Sequence, residues 1–123
     1  MSPVFDYSHE ISHEWQRRTT LKRFRAGLVR REAICDADFL LCAAARYHGT
    51  DAARPCPVCE ETMRNVLWIY GEDLGRRSGT ARSEAEIDDI VHEVGPVSVH
   101  TVEVCLNCRW NYLLKEVTAA PVV

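Results

Sequence analysis

Two Cys-x-x-Cys pairs are the residues of this chain whose types and spacing could do chemistry. The first pair is Cys56 and Cys59, and the second is Cys105 and Cys108. Each pair presents two thiolates from one tight turn, and two such turns that face each other supply four sulfurs in a tetrahedron. A structural Zn²⁺ ion requires this ligand set. We therefore predict that the four cysteines bind one structural zinc ion.

Redox chemistry is the main alternative for the first pair, because Cys-Pro-x-Cys also occurs in thiol oxidoreductases. Those enzymes place the first cysteine at a helix N-terminus, where the helix dipole lowers the pKa of the thiol. In this chain a strand-like run follows the pair, and the neighbouring Glu60 and Glu61 oppose thiolate formation. An iron–sulfur centre is a further alternative. The pattern favours zinc over both.

Catalysis is not predicted. Four thiolates close the coordination shell, whereas catalytic zinc keeps one position open for water or substrate. No carboxylate pair, Ser–His–Asp set or phosphate-binding glycine motif stands out in the sequence. We therefore expect that the protein is not an enzyme.

Two further cysteines, Cys35 and Cys42, are seven residues apart. On a helix this spacing is about two turns, which is too far for the two thiols to share a metal ion easily. We interpret both as small apolar residues. His48 and His100 are the best substitute ligands if one of the four predicted cysteines points away from the site.

A basic segment interrupts an otherwise acidic chain. The net charge is −3, yet the stretch from Arg17 to Arg31 contains seven lysine and arginine residues and no acid. Such a segment can attract a polyanion locally. The predicted contacts to nucleic acid or to a partner are five cations: Arg17, Arg18, Lys22, Arg23 and Arg25. The alternative is a solvated helix surface, or a helix docked on the protein's own acidic face.

The elements that must position these residues follow from apolar periodicity and turn signals. The first half of the chain is predicted to form a helix over 13–26, a helix over 37–48 and a strand over 63–70. A loop over 71–82 follows, and then a short helix that begins at the capping box of Ser83 and Glu86. The last predicted elements are strands over 97–104 and 109–117. The predicted fold class is α+β. It has N-terminal helices followed by a three-stranded antiparallel zinc-ribbon-like sheet with an inserted short helix.

The domain organisation follows from the same elements. It comprises an N-terminal arm over 1–12, a helical segment over 13–49, a zinc-ribbon-like part over 50–118 that packs with the helices as a single domain, and a tail over 119–123. No run of about 18 apolar residues is present, so we expect no membrane span. The N-terminus lacks the pattern of a secretion signal, and six cysteines in such a chain indicate a reducing compartment. The predicted location is the cytoplasm.

Several stretches form a specific combination. They are Cys35-Asp36-Ala37, Ala44-Ala45-Arg46-Tyr47-His48-Gly49, Pro55-Cys56-Pro57-Val58-Cys59, Tyr70-Gly71-Glu72-Asp73-Leu74-Gly75, Ser78-Gly79, Ala81-Arg82-Ser83, and Val102-Glu103-Val104-Cys105 with Cys108, Trp110 and Asn111. Across nearly all of residues 15–117, the chain thereby resembles a small actinobacterial family of unknown function. The resemblance implies a bacterial cytoplasmic protein with a zinc-ribbon-like C-terminal part, and it brings no activity with it.

The leading functional hypothesis is a non-catalytic zinc-binding module that docks on a nucleoprotein machine through its basic helix. The partner would be RNA polymerase, the ribosome or nucleic acid itself. Six cysteines in 123 residues motivate the alternative, a cysteine-based redox or zinc-release sensor. Trp110 and Tyr112 follow the second pair on one face, as a lid over the sheet or as a stacking platform for bases.

Overall fold

A computed structural model describes residues 4–122, and over this range it contains one antiparallel sheet of six strands. The strands are β1 (Phe5–Ser12), β2 (Thr50–Asp51), β3 (Arg64–Tyr70), β4 (Thr80–Ala81), β5 (Val97–Val104) and β6 (Asn111–Pro121). Their order is β1-β6-β5-β3-β2, and β4 pairs with β3. The helices are α1 (Glu14–Arg25), α2 (Arg31–Ile34), α3 (Phe39–His48) and α4 (Glu84–Val94), and a short 3₁₀ helix covers Glu72–Arg77.

The central strand β5 has both of its faces covered. Val97 and Val99 are buried in one cluster, which includes the apolar side chains of α4. Val102 and Val104 belong to a different cluster, which includes Ala44 and other side chains of α3. Successive side chains of a strand point to opposite faces, and β5 pairs with β3 without a register shift. Helices α3 and α4 therefore cover opposite faces of the sheet.

Helices α3 and α4 begin at clear capping residues. The Asp38 side chain accepts a hydrogen bond from the Leu41 amide at 2.8 Å and caps α3. Ser83 and Glu86 form the predicted capping box of α4. These contacts satisfy amide groups that the first turn of a helix leaves without partners. Both helices therefore begin where the sequence places a short polar side chain.

The predicted fold class is wrong. The sheet has six strands instead of three, and the chain begins with a strand instead of a helix. Residues 5–12, predicted as an arm, form β1, which pairs with β6 from Phe5 opposite Pro121 to Ser12 opposite Lys115. The alternation within β1 is broken by a register shift between Ser8 and Ile11. Most of its side chains are also exposed. The sequence of β1 therefore lacks the regular alternation of apolar and polar residues from which a strand is predicted.

The middle of the chain follows the predicted elements more closely. Strands β3 and β5, and helix α4 between them, lie at or within a residue or two of their predicted positions. The predicted loop over 71–82 contains the 3₁₀ helix and the short strand β4. Within the described part of the chain, no helix is both long and apolar enough to cross a bilayer.

Helix α1 is held on the sheet by a buried ion pair. Arg17 Nε donates to Glu103 Oε2 at 2.6 Å, and the same oxygen accepts the indole N–H of Trp110 at 2.8 Å. The exposed fractions of Arg17, Glu103 and Trp110 are 6%, 1% and 0%. Arg54 contacts the other carboxylate oxygen at 3.4 Å. Buried charges are tolerated when they are paired and hydrogen-bonded, as this carboxylate is.

We predict that Glu103→Ala lowers the free energy of unfolding by about 3–5 kcal/mol, because it leaves the buried guanidinium of Arg17 without its partner. Urea denaturation would measure the change. Glu93→Ala is the matched control, since it removes the carboxylate of the exposed Arg77–Glu93 pair and should cost about 0–1 kcal/mol. Equal costs for the two variants would contradict this account of how α1 is held.

We also predict that Gly49→Ala destabilises the α3–β3 junction. A Cβ at this position would overlap the carbonyl oxygen of Ala45 and lie 3.1 Å from the carbonyl oxygen of Asn65. Both atoms belong to the backbone, so the expected cost is about 1–3 kcal/mol, measured by thermal denaturation. At the control site Gly71, the nearest atom is the end of the Leu74 side chain at 3.3 Å. If Gly71→Ala lowers the melting temperature as much as Gly49→Ala does, the steric argument fails.

Candidate metal centre

The structure brings the four predicted cysteines together. Their sulfur atoms all lie within 4.8 Å of one another. Cys56 Sγ is 3.6 Å from Cys108 Sγ, and Cys59 Sγ is 3.4 Å from Cys105 Sγ. Four thiolates about 2.3 Å from a central ion would be roughly 3.8 Å apart. The sulfurs are free thiols, much further apart than a disulfide allows, and the four side chains could therefore hold a metal ion.

The two cysteine turns have the same backbone geometry. In the first turn the amide of Glu60 donates to the carbonyl of Cys56 at 2.9 Å, and in the second turn the amide of Arg109 donates to the carbonyl of Cys105 at 2.9 Å. Glu60 and Arg109, which follow the second cysteine of each pair, have φ angles of 68° and 71°. Such angles are uncommon for residues other than glycine. The repeated geometry makes each turn present both of its sulfurs to the other turn.

Hydrogen-bond donors surround the sulfurs. Three N–H groups lie 3.4 Å from a cysteine sulfur: Val58 N to Cys56, Cys108 N to Cys105, and Asn107 Nδ2 to Cys59. Hydrogen bonds of this kind stabilise the negative charge of a thiolate. These three donors therefore offset part of the negative charge that four thiolates would carry.

The surroundings of the cysteines shift the pKa values of their thiols in different directions. Burial raises the pKa of Cys56 and of Cys108. Burial also opposes ionisation of Cys59, yet the hydrogen bonds that its sulfur accepts, above all from Asn107, lower the pKa of Cys59 to about 7. A bound divalent cation would supply the positive charge that keeps all four groups deprotonated.

The cluster is closed on one side and accessible on the other. The first cysteine of each pair is buried, with exposed fractions of 1% for Cys56 and 0% for Cys105, whereas Cys59 and Cys108 are half-buried. The apolar side chains that pack around the buried side are Leu21, Ile34, Met63 and Trp110. Helices α1 and α2 therefore shield half of the centre from water.

A fifth cysteine lies beside the centre. Cys35 Sγ is 3.8 Å from Cys108 Sγ. Cys35 was predicted to be a small apolar residue, because its spacing from Cys42 gives no sign of the second cysteine turn. Cys42 lies elsewhere, in the cluster between α3 and the sheet, with its sulfur 3.8 Å from the carbonyl of Ala37.

The two substitute ligands lie away from the four sulfurs. His48 is exposed at the end of α3. His100 is on β5, where its Nε2 is 3.3 Å from Glu116 Oε1. The same carboxylate contacts His13 at 2.7 Å. Neither substitute ligand belongs to the group that could hold the metal.

The predicted contact set on the basic helix needs one correction. Arg17 is buried in its ion pair with Glu103, so it cannot reach a partner. The other four cations of the set are exposed: Arg18, Lys22, Arg23 and Arg25. The side chain of Trp15, which sequence reasoning missed, is 75% exposed on the same helix. Together with Arg18, Thr19 and Lys22 it lines a shallow groove, and the spacing i, i+3, i+4, i+7 could have indicated that face.

Trp110 is not a stacking platform for bases. Its side chain is fully buried, and its ring stacks on Tyr112 with 5.7 Å between ring centroids. The aromatic pair covers the interior beside the cysteines, as a lid does.

Comparison with known proteins identifies the family. The profile of DUF5318, a family of unknown function, matches residues 4–120. The chain is 38% identical over 106 residues to the uncharacterized proteins Rv0049 of Mycobacterium tuberculosis and Mb0050 of Mycobacterium bovis, which covers 85% of this chain and 77% of each relative. No solved structure matches the chain. The resemblance found in the sequence is thereby confirmed, and the chain belongs to this small actinobacterial family of unknown function.

Proposed function

We propose that this chain is a non-catalytic protein in which Cys56, Cys59, Cys105 and Cys108 hold one structural Zn²⁺ ion. Four thiolates are a soft ligand set, which suits zinc or iron–sulfur chemistry and disfavours magnesium or calcium. A set of four protein ligands is typical of structural zinc, since catalytic zinc uses three. The six free thiols support a cytoplasmic location, because reducing compartments keep cysteines in this form.

We further propose that the outer face of α1 docks the protein on a nucleoprotein machine, such as RNA polymerase or the ribosome, by contacting single-stranded nucleic acid there. The observation that carries this proposal is the groove in which the exposed indole of Trp15 lies beside Arg18 and Lys22. Proteins that bind single strands combine cations that follow the phosphates with aromatic rings on which bases stack. The groove offers both groups on one helix face.

The charges of this face are available to a partner. Within residues 4–122, Arg18, Lys22, Arg23 and Arg25 form no salt bridge. Glu14, the one acid of α1, forms its salt bridge with Arg54, whose side-chain hydrogen bond lowers the pKa of Glu14. Its charge also attracts Arg18, so it offsets part of the positive charge at the start of the helix and leaves Lys22, Arg23 and Arg25 unneutralised. The positive potential of α1 is therefore directed outwards.

A redox or zinc-release sensor is the second candidate function. The specific observation that favours it is the sulfur of Cys35, which lies 3.8 Å from the sulfur of Cys108. In the presence of a two-electron oxidant such as a peroxide, a free thiol so close to a metal-binding thiol could form a disulfide with it. This function is compatible with the docking proposal, since α1 and Cys35 are different parts of the surface.

We predict one zinc ion per chain in protein purified under reducing conditions, measured by elemental analysis. Cys56→Ser and Cys105→Ser should lose the metal and most of the folded structure around it, because structural zinc contributes an apparent ~10–16 kcal/mol in small peptide sites. Cys42→Ala is the control and should keep its zinc. Iron in place of zinc, or no metal at all, would overturn the zinc assignment.

We predict salt-dependent binding to single-stranded RNA, measured by fluorescence anisotropy with a labelled oligouridine. Each phosphate contact contributes about −0.7 to the slope of log affinity against log salt, so Arg18→Ala with Lys22→Ala should flatten the slope by about 1.4. Trp15→Ala should weaken binding by about 1–3 kcal/mol and leave the slope unchanged.

The control for the RNA experiment is Arg46→Ala with Arg76→Ala. This pair removes the same charge from exposed positions outside α1 and should leave the slope unchanged. If the wild-type protein does not bind at ~50 mM salt, direct contact with nucleic acid is excluded, and the basic face would have to serve an acidic protein surface.

A further inference from the structure

We propose that Cys35 and Cys108 form a redox switch in which a hydroperoxide converts the two thiols into a disulfide and thereby opens the metal centre. The inference rests on the proposed metal centre, because Cys108 is one of its four ligands. It gives the sensor function a defined pair of atoms and a defined trigger. It also assigns a role to a cysteine that the four-ligand site does not use.

The distance between the two sulfurs permits the reaction. Cys35 Sγ and Cys108 Sγ are 3.8 Å apart, so they need to approach by less than about 2 Å to reach the length of an S–S bond. Cys35 is the C-cap residue that directly follows the four-residue helix α2. It lies outside the group of four sulfurs that could surround one ion. Cys35 can therefore react without first leaving a ligand position.

The two sulfurs lie on an accessible side of the metal centre. A depression of about 420 Å³ is lined by Arg31, Glu32, Cys35, Asp36, Cys108 and Arg109. Both cysteines are half-buried, whereas Cys56 and Cys105 are buried. A small oxidant that enters the depression would reach Cys108 and Cys35 before the two inner ligands.

The other accessible ligand is differently placed. Cys59 is also half-buried, but its sulfur accepts a hydrogen bond from Asn107 Nδ2 at 3.4 Å. The Cys108 sulfur also accepts a hydrogen bond, but its donor is the thiol of Cys35, at 3.8 Å. That thiol lies outside the ligand set and can capture the first oxidation product of Cys108 as a disulfide, which the amide of Asn107 cannot do for Cys59. The neighbouring thiol therefore favours Cys108 as the ligand whose oxidation ends in a disulfide with Cys35.

The chemistry balances as a two-electron oxidation. The thiolate of Cys108 attacks the peroxide oxygen, the O–O bond breaks, and the sulfur becomes a sulfenic acid while the other oxygen leaves as an alcohol or water. The thiol of Cys35 then attacks the sulfenic sulfur, the S–S bond forms, and water leaves with the remaining proton. Two thiols are oxidised and one peroxide is reduced. After oxidation the site keeps three of its four thiolates and binds its metal ion more weakly. A small thiol reductant would reduce the disulfide and restore all four ligands.

The experiment uses the full chain loaded with zinc and titrated with hydrogen peroxide. A chromogenic chelator follows zinc release, and mass spectrometry of the non-reduced peptides identifies each disulfide. We expect the disulfide between Cys35 and Cys108 to form first and in step with zinc release. Cys35→Ala should bind zinc normally when reduced and release it at least about fivefold more slowly under peroxide. Cys42→Ala should behave as the wild type.

Two results would overturn the switch. The first is a disulfide confined to Cys56–Cys59 or Cys105–Cys108 while Cys35 stays alkylatable, and the second is unchanged zinc release from Cys35→Ala. Cys35→Ser, which is closer in size to the native residue and cannot form a disulfide, gives a second test if the alanine variant folds poorly. Reduced wild-type protein without zinc would instead contradict the proposed metal centre, and peptide mapping of that protein would still decide whether Cys35 pairs with Cys108.

Discussion

The buried carboxylate of Glu103 is the contact on which the rest of the molecule depends. It accepts hydrogen bonds from Arg17 on α1 and from Trp110, which follows the second cysteine turn, and it contacts Arg54, two residues before the first turn. One side chain of the central strand therefore joins the basic helix to both halves of the candidate metal centre. Removing this charge would leave the buried guanidinium of Arg17 without its carboxylate and the indole N–H of Trp110 without its acceptor, whereas Arg54 would keep its pair with Glu14.

This arrangement divides α1 into two functional faces. Its inner face supplies Arg17 to the ion pair and Leu21 to the apolar cluster around the cysteines. Its outer face presents Trp15, Arg18 and Lys22 to solvent. Because the inner face is fixed, the backbone that carries the outer groups is held in place. In the docking proposal, this would lower the entropic cost of ordering those groups when a partner binds.

The sequence predicted the local features well and the long-range pairing poorly. The four cysteines could be chosen from spacing alone, because the Cys-x-x-Cys turn is a local geometry, and the capping box of α4 was readable for the same reason. Strand β1 could not be recognised, since its partner β6 lies at the other end of the chain. The burial of Arg17 was hidden because its carboxylate partner is 86 residues away. The position of Cys35 likewise depends on how α2 packs over the second turn.

The 45 residues between the two cysteine pairs have a consequence for folding. The first turn precedes β3 and the second connects β5 to β6, so the pairing of β3 with β5 brings the two pairs of sulfurs together. Closing this long loop carries an entropic cost. A metal ion held by all four cysteines would close the same loop as the strand pairing does, so each of the two closures would lower the entropic cost of the other.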